Sequence, residues 1–265
     1  FNYWGALTFA ASENRIVYKD DPRNADEHLK AAGKPIDYQN RFIAIGNYGS
    51  IDDVFNYAQT AINGTTASQV IPGDLIYIDF NGDGIINSND KVVVDELHYP
   101  LTTIGFSFGF NWKGLNFSAM LYSPRNIYKL QFDQYLWDFP ASNIRVQPKS
   151  MERWTPETAN SSGVMRPATH LNNTYNKVES TYRYSDYSYI RLKNMEIGYT
   201  FPKKWLSEAH ISNLQVYMNG NNLLTFWKGD KRVDPETGGV GSYPIVRTYT
   251  LGLRAVSYTH LRAHE

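Results

Sequence analysis

The feature that most constrains this chain is a pair of alternating segments joined by a two-residue turn. From Thr103 to Trp112 every second residue is large and apolar, and the residues between are small or polar. A period of two places successive side chains on opposite faces of a β-strand. Lys113-Gly114 marks a tight turn, and Leu115 to Leu121 repeats the alternation. The sequence therefore predicts an antiparallel hairpin with one apolar face.

The same alternation recurs along the chain. It is found at Met195 to Phe201, Leu214 to Asn221 and Thr248 to Arg254, and less cleanly in the extended stretch Phe1 to Tyr18. Together with the hairpin, these segments predict about six strands.

The connections between these strands are of two kinds. Lys113-Gly114 and Pro202 to Ser212 are short, whereas Lys19 to Pro100, Ser123 to Tyr182 and Lys228 to Tyr243 are long and polar. Short turns at one end and long loops at the other are typical of outer-membrane barrels, whose long loops face outward. We therefore predict an all-β fold: antiparallel strands of a transmembrane up-and-down β-barrel with long extracellular loops. A soluble β-sandwich would also have alternating strands, and it remains the alternative.

Composition limits the function classes. Lys plus Arg is 26 and Asp plus Glu is 26, so the chain lacks the basic surplus that nucleic-acid binding requires. There is no Cys, which excludes disulfides and thiolate zinc sites. Aromatic residues make up 15% of the chain, and several stand close to strand ends, as in the girdle of a membrane barrel. No HExxH, GxSxG or phosphate-binding motif is present, and we predict no enzymatic activity.

Residues 79–90 match a calcium-binding loop. Oxygen-bearing side chains occupy loop positions 1, 3 and 5, and the turn-forming Gly84 stands at position 6. Position 12 is Asp90 where Glu is usual, so the last ligand is shorter. The alternative is a metal-free turn in which Asn and Asp side chains bond to their own backbone. The predicted Ca²⁺ ligands are Asp79, Asn81, Asp83, Ile85 (through its carbonyl), Asn87 and Asp90.

Two other residue sets are candidates for binding. The polar faces of the strands should line a barrel lumen and bond to one another and to a plug: Glu196, Gln215, Tyr217, Asn219, Asn221 and Arg254. Aromatic residues in the second long loop and just after it could stack on sugars, or could simply pack within the loop and contact lipid headgroups: Trp137, Phe139, Trp154, Tyr182, Tyr184, Tyr187 and Tyr189.

Several segments, in order along nearly the whole chain, match one family pattern. Pro72 to Ile85 resembles "PGD.kY.D.NGDG.I", and Tyr189 to Pro202 resembles "yiRlkn..lgYtfP". Asn221 to Phe226 followed by Asp234-Pro235-Glu236 resembles "NLfTft…DPE". Pro100 to Leu115 and Arg247 to Leu253 resemble the family's hairpin and closing strand. The ordered set resembles the SusC/RagA family of TonB-dependent outer-membrane proteins.

This resemblance implies a barrel of about 22 strands, a plug, a TonB-contacting segment and a SusD-like lipoprotein that lids the barrel. The expected function is uptake of oligosaccharides, or of peptides, across the outer membrane of a Gram-negative cell, with lipid around the barrel. The alternative is a secreted calcium-stapled β-sandwich that binds glycans. The chain opens at Phe1 without a signal sequence, so we expect its natural start upstream.

The resemblance also sets an expected boundary near the end of the chain. Residues 1–255 should form the C-terminal part of the receptor barrel. A terminal aromatic residue is expected near position 257, where Ser257 stands instead. We therefore interpret residues 256–265 as a non-native or artefactual tail.

Overall fold

The structure is a computed structural model that describes residues 1–62, 69–94, 96–131, 136–137, 148–159, 163, 166–167, 174–207, 211–229, 233–237 and 242–257. The strands, in chain order, are β1 Asn2–Ala11, β2 Gln39–Arg41, β3 Ala44–Asn47, β4 Gln59–Thr60, β5 Leu75–Tyr77, β6 Ile85–Ile86, β7 Val92–Val94, β8 Thr102–Trp112, β9 Leu115–Arg125, β10 Tyr128–Leu130, β11 Tyr184–Asp186, β12 Tyr189–Thr200, β13 Ile211–Lys228 and β14 Thr248–Ser257. Two short helices are α1 Ile51–Asn56 and α2 Lys203–Leu206, and single 3₁₀ turns lie at Glu27–Leu29, Ser88–Asp90, Pro148–Glu152, Pro156–Thr158 and Thr181–Arg183. Within these ranges, none of the helices combines the length and hydrophobicity that a membrane-crossing helix requires.

The chain divides into two compact units. Unit 1 comprises Phe1–Ser12, Pro100–Ile127 and Tyr187–Glu265, and unit 2 comprises Glu13–Tyr99 and Tyr128–Asp186. Unit 1 contains a six-stranded sheet in the order β1-β8-β9-β12-β13-β14, and every neighbouring pair is antiparallel. The six predicted strands are therefore confirmed. The stretch Phe1 to Tyr18 forms a strand only as far as Ala11.

The predicted hairpin is formed by β8 and β9. Trp112 pairs with Leu115, which leaves Lys113 and Gly114 as a two-residue loop, and both have positive φ (48° and 89°). Positive φ at both loop residues is typical of the type I′ turn that suits strand twist. A Cβ at Gly114 would lie 2.5 Å from the carbonyl oxygen of Thr200, so space as well as backbone angle favours glycine.

The register of the sheet separates an apolar face from a polar face. One row of paired residues crosses all six strands on the apolar face: Tyr3, Phe110, Phe117, Ile197, Met218 and Leu251. The next row crosses on the opposite face: Trp4, Gly109, Ser118, Glu196, Asn219 and Thr250. Because side chains alternate along each strand, this register gives the whole sheet two faces of different polarity.

Strand β14 extends beyond the expected boundary at residue 255. Val256 pairs with Asn213, Ser257 pairs with Ile211, and the Ser212 hydroxyl donates to the carbonyl of Val256 at 2.8 Å. The first two residues of the predicted tail thus continue the strand, and residues 258–265 lie outside the described residues.

Unit 2 has its own core, which the sequence did not predict. Its described strands form four two-stranded sheets: β2–β7, β3–β5 and β10–β11, which are antiparallel, and β4–β6, which is parallel. The core contains ten buried residues: Phe42, Tyr48, Val54, Ile62, Val70, Leu75, Tyr77, Ile86, Tyr175 and Val178. The stretches predicted only as long polar loops therefore bury a substantial apolar cluster.

A buried polar pair links the two stretches of unit 2. The Asn176 amide donates to Asp74 Oδ1 at 2.7 Å, and Asn176 Oδ1 accepts from the backbone N–H of Leu75 at 2.9 Å. Asp74 and Asn176 are both 0% exposed. Asp74 also accepts from the N–H of Ile71 at 3.0 Å, which closes the turn before β5. The pair satisfies polar groups that would otherwise be costly to bury.

Candidate functional site

The predicted calcium loop, residues 79–90, follows β5, contains β6 and ends with the 3₁₀ turn Ser88–Asp90. Gly82 and Gly84 have positive φ (74° and 82°), which lets the chain reverse twice within a few residues. Ile86, predicted as the apolar anchor of the loop, is fully buried in the core of unit 2. At the outer edge, the ring centroid of His28 lies 4.7 Å from that of Phe80. The loop thus packs against the rest of unit 2 through Phe80 and through Ile86.

The first carboxylates of the loop accept backbone hydrogen bonds. Asp79 receives the N–H of Gly82 and the N–H of Gly84, one on each carboxylate oxygen and both at 2.8 Å. Asp83 Oδ1 accepts from the N–H of Ile85 at 2.7 Å. Burial raises the pKa of Tyr57, and the negative charge of Asp79 raises it further. The carboxylate at loop position 1 therefore organises the turn around itself.

Asp90 closes the loop from inside the protein. It is 0% exposed, and its two oxygens accept from the N–H of Phe80 at 2.9 Å and from the N–H of Asn87 at 2.8 Å. Asn87 in turn accepts from the N–H of Asn89, which completes a capping box on the 3₁₀ turn. The short side chain of Asp90 is accommodated because its partners are backbone groups of the loop.

These contacts match the metal-free alternative, in which loop side chains bond to their own backbone. Among the described residues, which include all of 79–90, no three His, Cys, Asp or Glu side chains converge on a common point. Each carboxylate oxygen has two lone pairs, however, so one N–H bond leaves it able to accept again. The six predicted ligands therefore lie in one loop, and calcium binding there stays a prediction.

The polar face of the sheet is a second candidate site. Asn219 is at its centre: its amide lies 3.4 Å from Glu196 Oε2, and its oxygen accepts from Asn221 at 3.2 Å. Asn194 donates to Asn221 at 3.0 Å. Arg254 donates to Gln215 at 3.3 Å, and its guanidinium lies 5.7 Å from the ring centroid of Tyr217. The prediction that these side chains bond to one another is confirmed.

Two aromatic rings on this face lie directly over glycines of the next strand. A Cβ at Gly109 would lie 2.8 Å from ring atoms of Trp4, and one at Gly252 would lie 2.5 Å from the hydroxyl oxygen of Tyr217. Each glycine therefore provides the space for a ring on the adjacent strand.

A buried ion cluster joins β12 to the turn after β13. Arg191 is 3% exposed, and its guanidinium pairs with Asp234 at 2.9 Å and Glu236 at 2.8 Å. Lys193 also pairs with Glu236, at 2.6 Å, and Arg191 Nε donates to the Thr225 hydroxyl at 3.0 Å. These residues fall in the quoted family patterns, but sequence reasoning did not connect them. The cluster holds the Asp234-Pro235-Glu236 turn against the sheet.

The aromatic residues considered for sugar stacking are mostly buried. Trp137, Trp154, Tyr187 and Tyr189 are buried, and Tyr182 and Tyr184 are half-buried. Phe139 lies outside the described residues. This burial supports packing within the loop, the second of the two interpretations.

Comparisons with known proteins agree with the geometry. No family model matches the chain. TonB-dependent receptor P3 of Formosa agariphila is 25% identical over 277 aligned positions, which cover 96% of this chain and 26% of the receptor. TonB-dependent receptor P26 of the same organism is 32% identical over 212 positions, which cover 72% of this chain and 20% of the receptor.

Over most of its length the chain is similar to TonB-dependent receptors. It spans about a quarter or less of the length of the receptors it matches. These relatives are described as receptors, which agrees with the prediction that the chain is not an enzyme.

Solved structures confirm the fold of this receptor segment. The structure of the RagAB peptide transporter matches with a TM-score of 0.64 at 19% identity, over 97% of this chain and 27% of the other. The RagAB peptide importer in its "open-open" state matches with a TM-score of 0.66 at 18% identity, over the same shares. The predicted fold class, antiparallel strands of a transporter barrel, is therefore confirmed.

Proposed function

We propose that this receptor segment forms part of an outer-membrane importer for oligosaccharides or peptides, of the SusC/RagA type. In this proposal a SusD-like surface lipoprotein covers the barrel and the TonB complex supplies energy. The observation that carries the proposal is the division of the six-stranded sheet into an apolar and a polar face.

The apolar face is exposed where a soluble protein would cover it. Tyr3 is 79% exposed, Leu251 is 78% exposed and Met218 is 46% exposed, and all three lie in one row across the sheet. Soluble monomers rarely expose a continuous apolar patch of this kind. Hydrocarbon is the environment that such a face requires, because outward-facing strand residues of membrane barrels are apolar.

The polar face suits a water-filled lumen. Asn219, Asn221 and Glu196 bond to one another across strands, so they present both donors and acceptors to the space above them. Hydroxyl groups of an oligosaccharide, or amide groups of a peptide, could form hydrogen bonds with these same side chains in place of the bonds that the side chains make with one another. The choice between the two cargoes rests on the comparisons alone: RagAB is described as a peptide importer, whereas the sequence resemblance favours oligosaccharides.

The alternative is a secreted β-sandwich that binds glycans. A sandwich requires a second sheet packed on the apolar face at about 10 Å. The exposure of Leu251 and Met218 argues against such a cover over β13 and β14. We therefore favour the importer.

Fractionation and uptake test the importer proposal. The full-length gene product should sediment with outer membranes and require detergent for extraction. Cells lacking the gene should lose uptake of one labelled cargo, either an oligosaccharide or a peptide, and loss of TonB should have the same effect. A gene product that stays soluble and monomeric without detergent would favour the secreted alternative.

We also propose that the 79–90 loop binds Ca²⁺ as a structural ion. Asp79, Asp83 and Asp90 provide the hard oxygen ligands that calcium prefers, and the glycines provide the turn. Isothermal titration of the full-length gene product with Ca²⁺ should show one site that is lost in the Asp79→Asn/Asp83→Asn variant. Asp52→Asn, an exposed carboxylate change elsewhere in unit 2, is the matched control. Equal heats for all three proteins would establish the metal-free turn.

A further inference from the structure

A cleft in unit 2 adjoins the calcium-type loop, whose Asn87 and Ser88 form part of its lining. It has a volume of about 510 Å³, and Phe42 and Ile62 of the core form part of its wall. This volume falls within the range of small-ligand pockets, about 300–1,000 Å³. Polar and charged groups come from two segments: Asn87, Ser88 and Lys91 at and just after the end of the calcium-type loop, and Lys177, Glu179 and Arg183 from the second stretch of the unit.

The charges that line this cleft do not cancel. Lys91, Lys177 and Arg183 are its cations, and Glu179 is its single acid. Glu179 is already engaged, because one oxygen accepts from Arg183 at 3.0 Å and the other accepts from the Tyr184 hydroxyl at 3.0 Å. Arg183 also donates to the carbonyl of Lys177 at 2.9 Å. The acid is therefore engaged by Arg183 and Tyr184 and is not available to the two lysines.

The two lysines are left without an acidic partner. Within the part of the chain that the structure describes, no carboxylate lies within 4.0 Å of the amine of Lys91 or Lys177. The Lys91 amine lies 5.3 Å from the ring centroid of Phe42, so a cation stands beside an apolar wall. Lys91 is half-buried, and Lys177 is exposed at the rim. Both lysines line the same cleft, and each amine can give an anion a charge-assisted hydrogen bond.

We propose that this cleft binds a small ligand through a carboxylate, with Lys91 and Lys177 as the carboxylate-binding residues. The apolar part of the ligand would lie against Phe42 and Ile62, and the Ser88 hydroxyl would supply a further donor at the entrance. Such a carboxylate is present both at the C-terminus of a short peptide and on a uronic acid of an oligosaccharide. This inference does not depend on transport, because binding can be measured on purified protein whether or not cells take up the ligand.

Isothermal titration of the full-length gene product in detergent tests the proposal. Two pairs of probes distinguish the sources: a neutral tripeptide with a free or an amidated C-terminus, and a galacturonic-acid trimer beside a neutral galactose trimer. One of the two carboxylate probes should bind, and its uncharged counterpart should bind at least about tenfold more weakly, because a charged hydrogen-bonding partner is lost. Raising the salt concentration should weaken binding of the charged probe.

Charge-removing variants identify the residues. Lys91→Gln and Lys177→Gln should each weaken binding of the charged probe by about tenfold. Lys19→Gln removes an exposed lysine of the same unit that does not line the cleft, and it should leave binding unchanged. Circular dichroism and thermal melting of each variant confirm that it is folded.

Three outcomes would overturn the proposal. They are failure of both carboxylate probes to bind, equal binding of charged and uncharged probes, and binding that the Lys91 and Lys177 variants leave unchanged. If the purified protein binds the charged probe as expected but cells lacking the gene still take up the cargo, the result counts against the importer proposal only.

Discussion

Replacement of Asn176 by alanine tests how unit 2 holds its two stretches together. The change removes the hydrogen bond to Asp74 Oδ1 and the one from the Leu75 N–H, and both partners are buried. Each buried group that loses its partner costs about 1–3 kcal/mol, and a charged group costs more. The local free energy of opening should therefore fall by about 3–6 kcal/mol, which places Asn176→Ala among the large single-residue effects.

Hydrogen exchange followed by mass spectrometry measures this opening without requiring global unfolding. Peptides that cover β5 should exchange about 100-fold faster or more in the Asn176→Ala variant, since each 1.4 kcal/mol is a factor of ten. Asn24→Ala, an exposed asparagine in the same unit, serves as the control and should exchange like the wild type. Exchange of β5 within about threefold of the wild type would show that the buried pair does not join the two stretches.

Three further predictions concern the six-stranded sheet. Arg191→Ala removes a buried guanidinium and leaves the half-buried Asp234 without its cation, whereas Glu236 keeps Lys193, and the change should lower the free energy of unfolding in urea by about 3 kcal/mol; an unchanged midpoint would contradict this. Gly252→Val should reduce the yield of folded protein because the new side chain meets the Tyr217 ring, and adding Tyr217→Ala should restore it. Phe108→Arg should cost about 2–4 kcal/mol if the residue lies near the bilayer midplane and should reduce the yield in the outer-membrane fraction, whereas Ser107→Arg on the opposite face should not; equal yields would contradict the assignment of the faces.

The sheet was predictable because its signal is local. In the hairpin from Thr102 to Arg125, the side-chain period, the turn glycine and the strand length all agree, and each can be read within about ten residues. The pairing between strands then follows from placing the apolar residues on one face. The bulge between Leu192 and Asn194 could not be predicted, because it depends on both neighbours of β12.

Unit 2 was missed because its contacts are remote and its strands are short. Strand β6 contains only Ile85 and Ile86, too few residues to show any period. Asp74 and Asn176 are separated by 102 positions, and nothing near either residue indicates the other. Long polar segments were therefore interpreted as loops, although their scattered tyrosines meet in one core.

The two candidate sites also differ in whether their residues are close together in the sequence. The calcium-type loop was found because its residues lie within one continuous motif, and the structure places all six in that loop. The Arg191 cluster was not found, because the arginine and its acids stand 43 and 45 positions apart. Motif matching located these residues separately, and only the folded structure shows that they pair.

The glycines beneath Trp4 and Tyr217 limit how such a receptor can diverge. Each ring occupies volume that belongs to the opposing residue, so neither position can enlarge while its partner keeps its size. A Cβ at position 109 would also lie 2.5 Å from the backbone oxygen of Phe117, so that glycine is required whatever residue stands at position 4, whereas positions 217 and 252 should exchange bulk as a pair among related sequences. The space on the polar face at this point is then set by the two side chains together, and a ring can move from position 217 to position 252 while their summed volume stays the same.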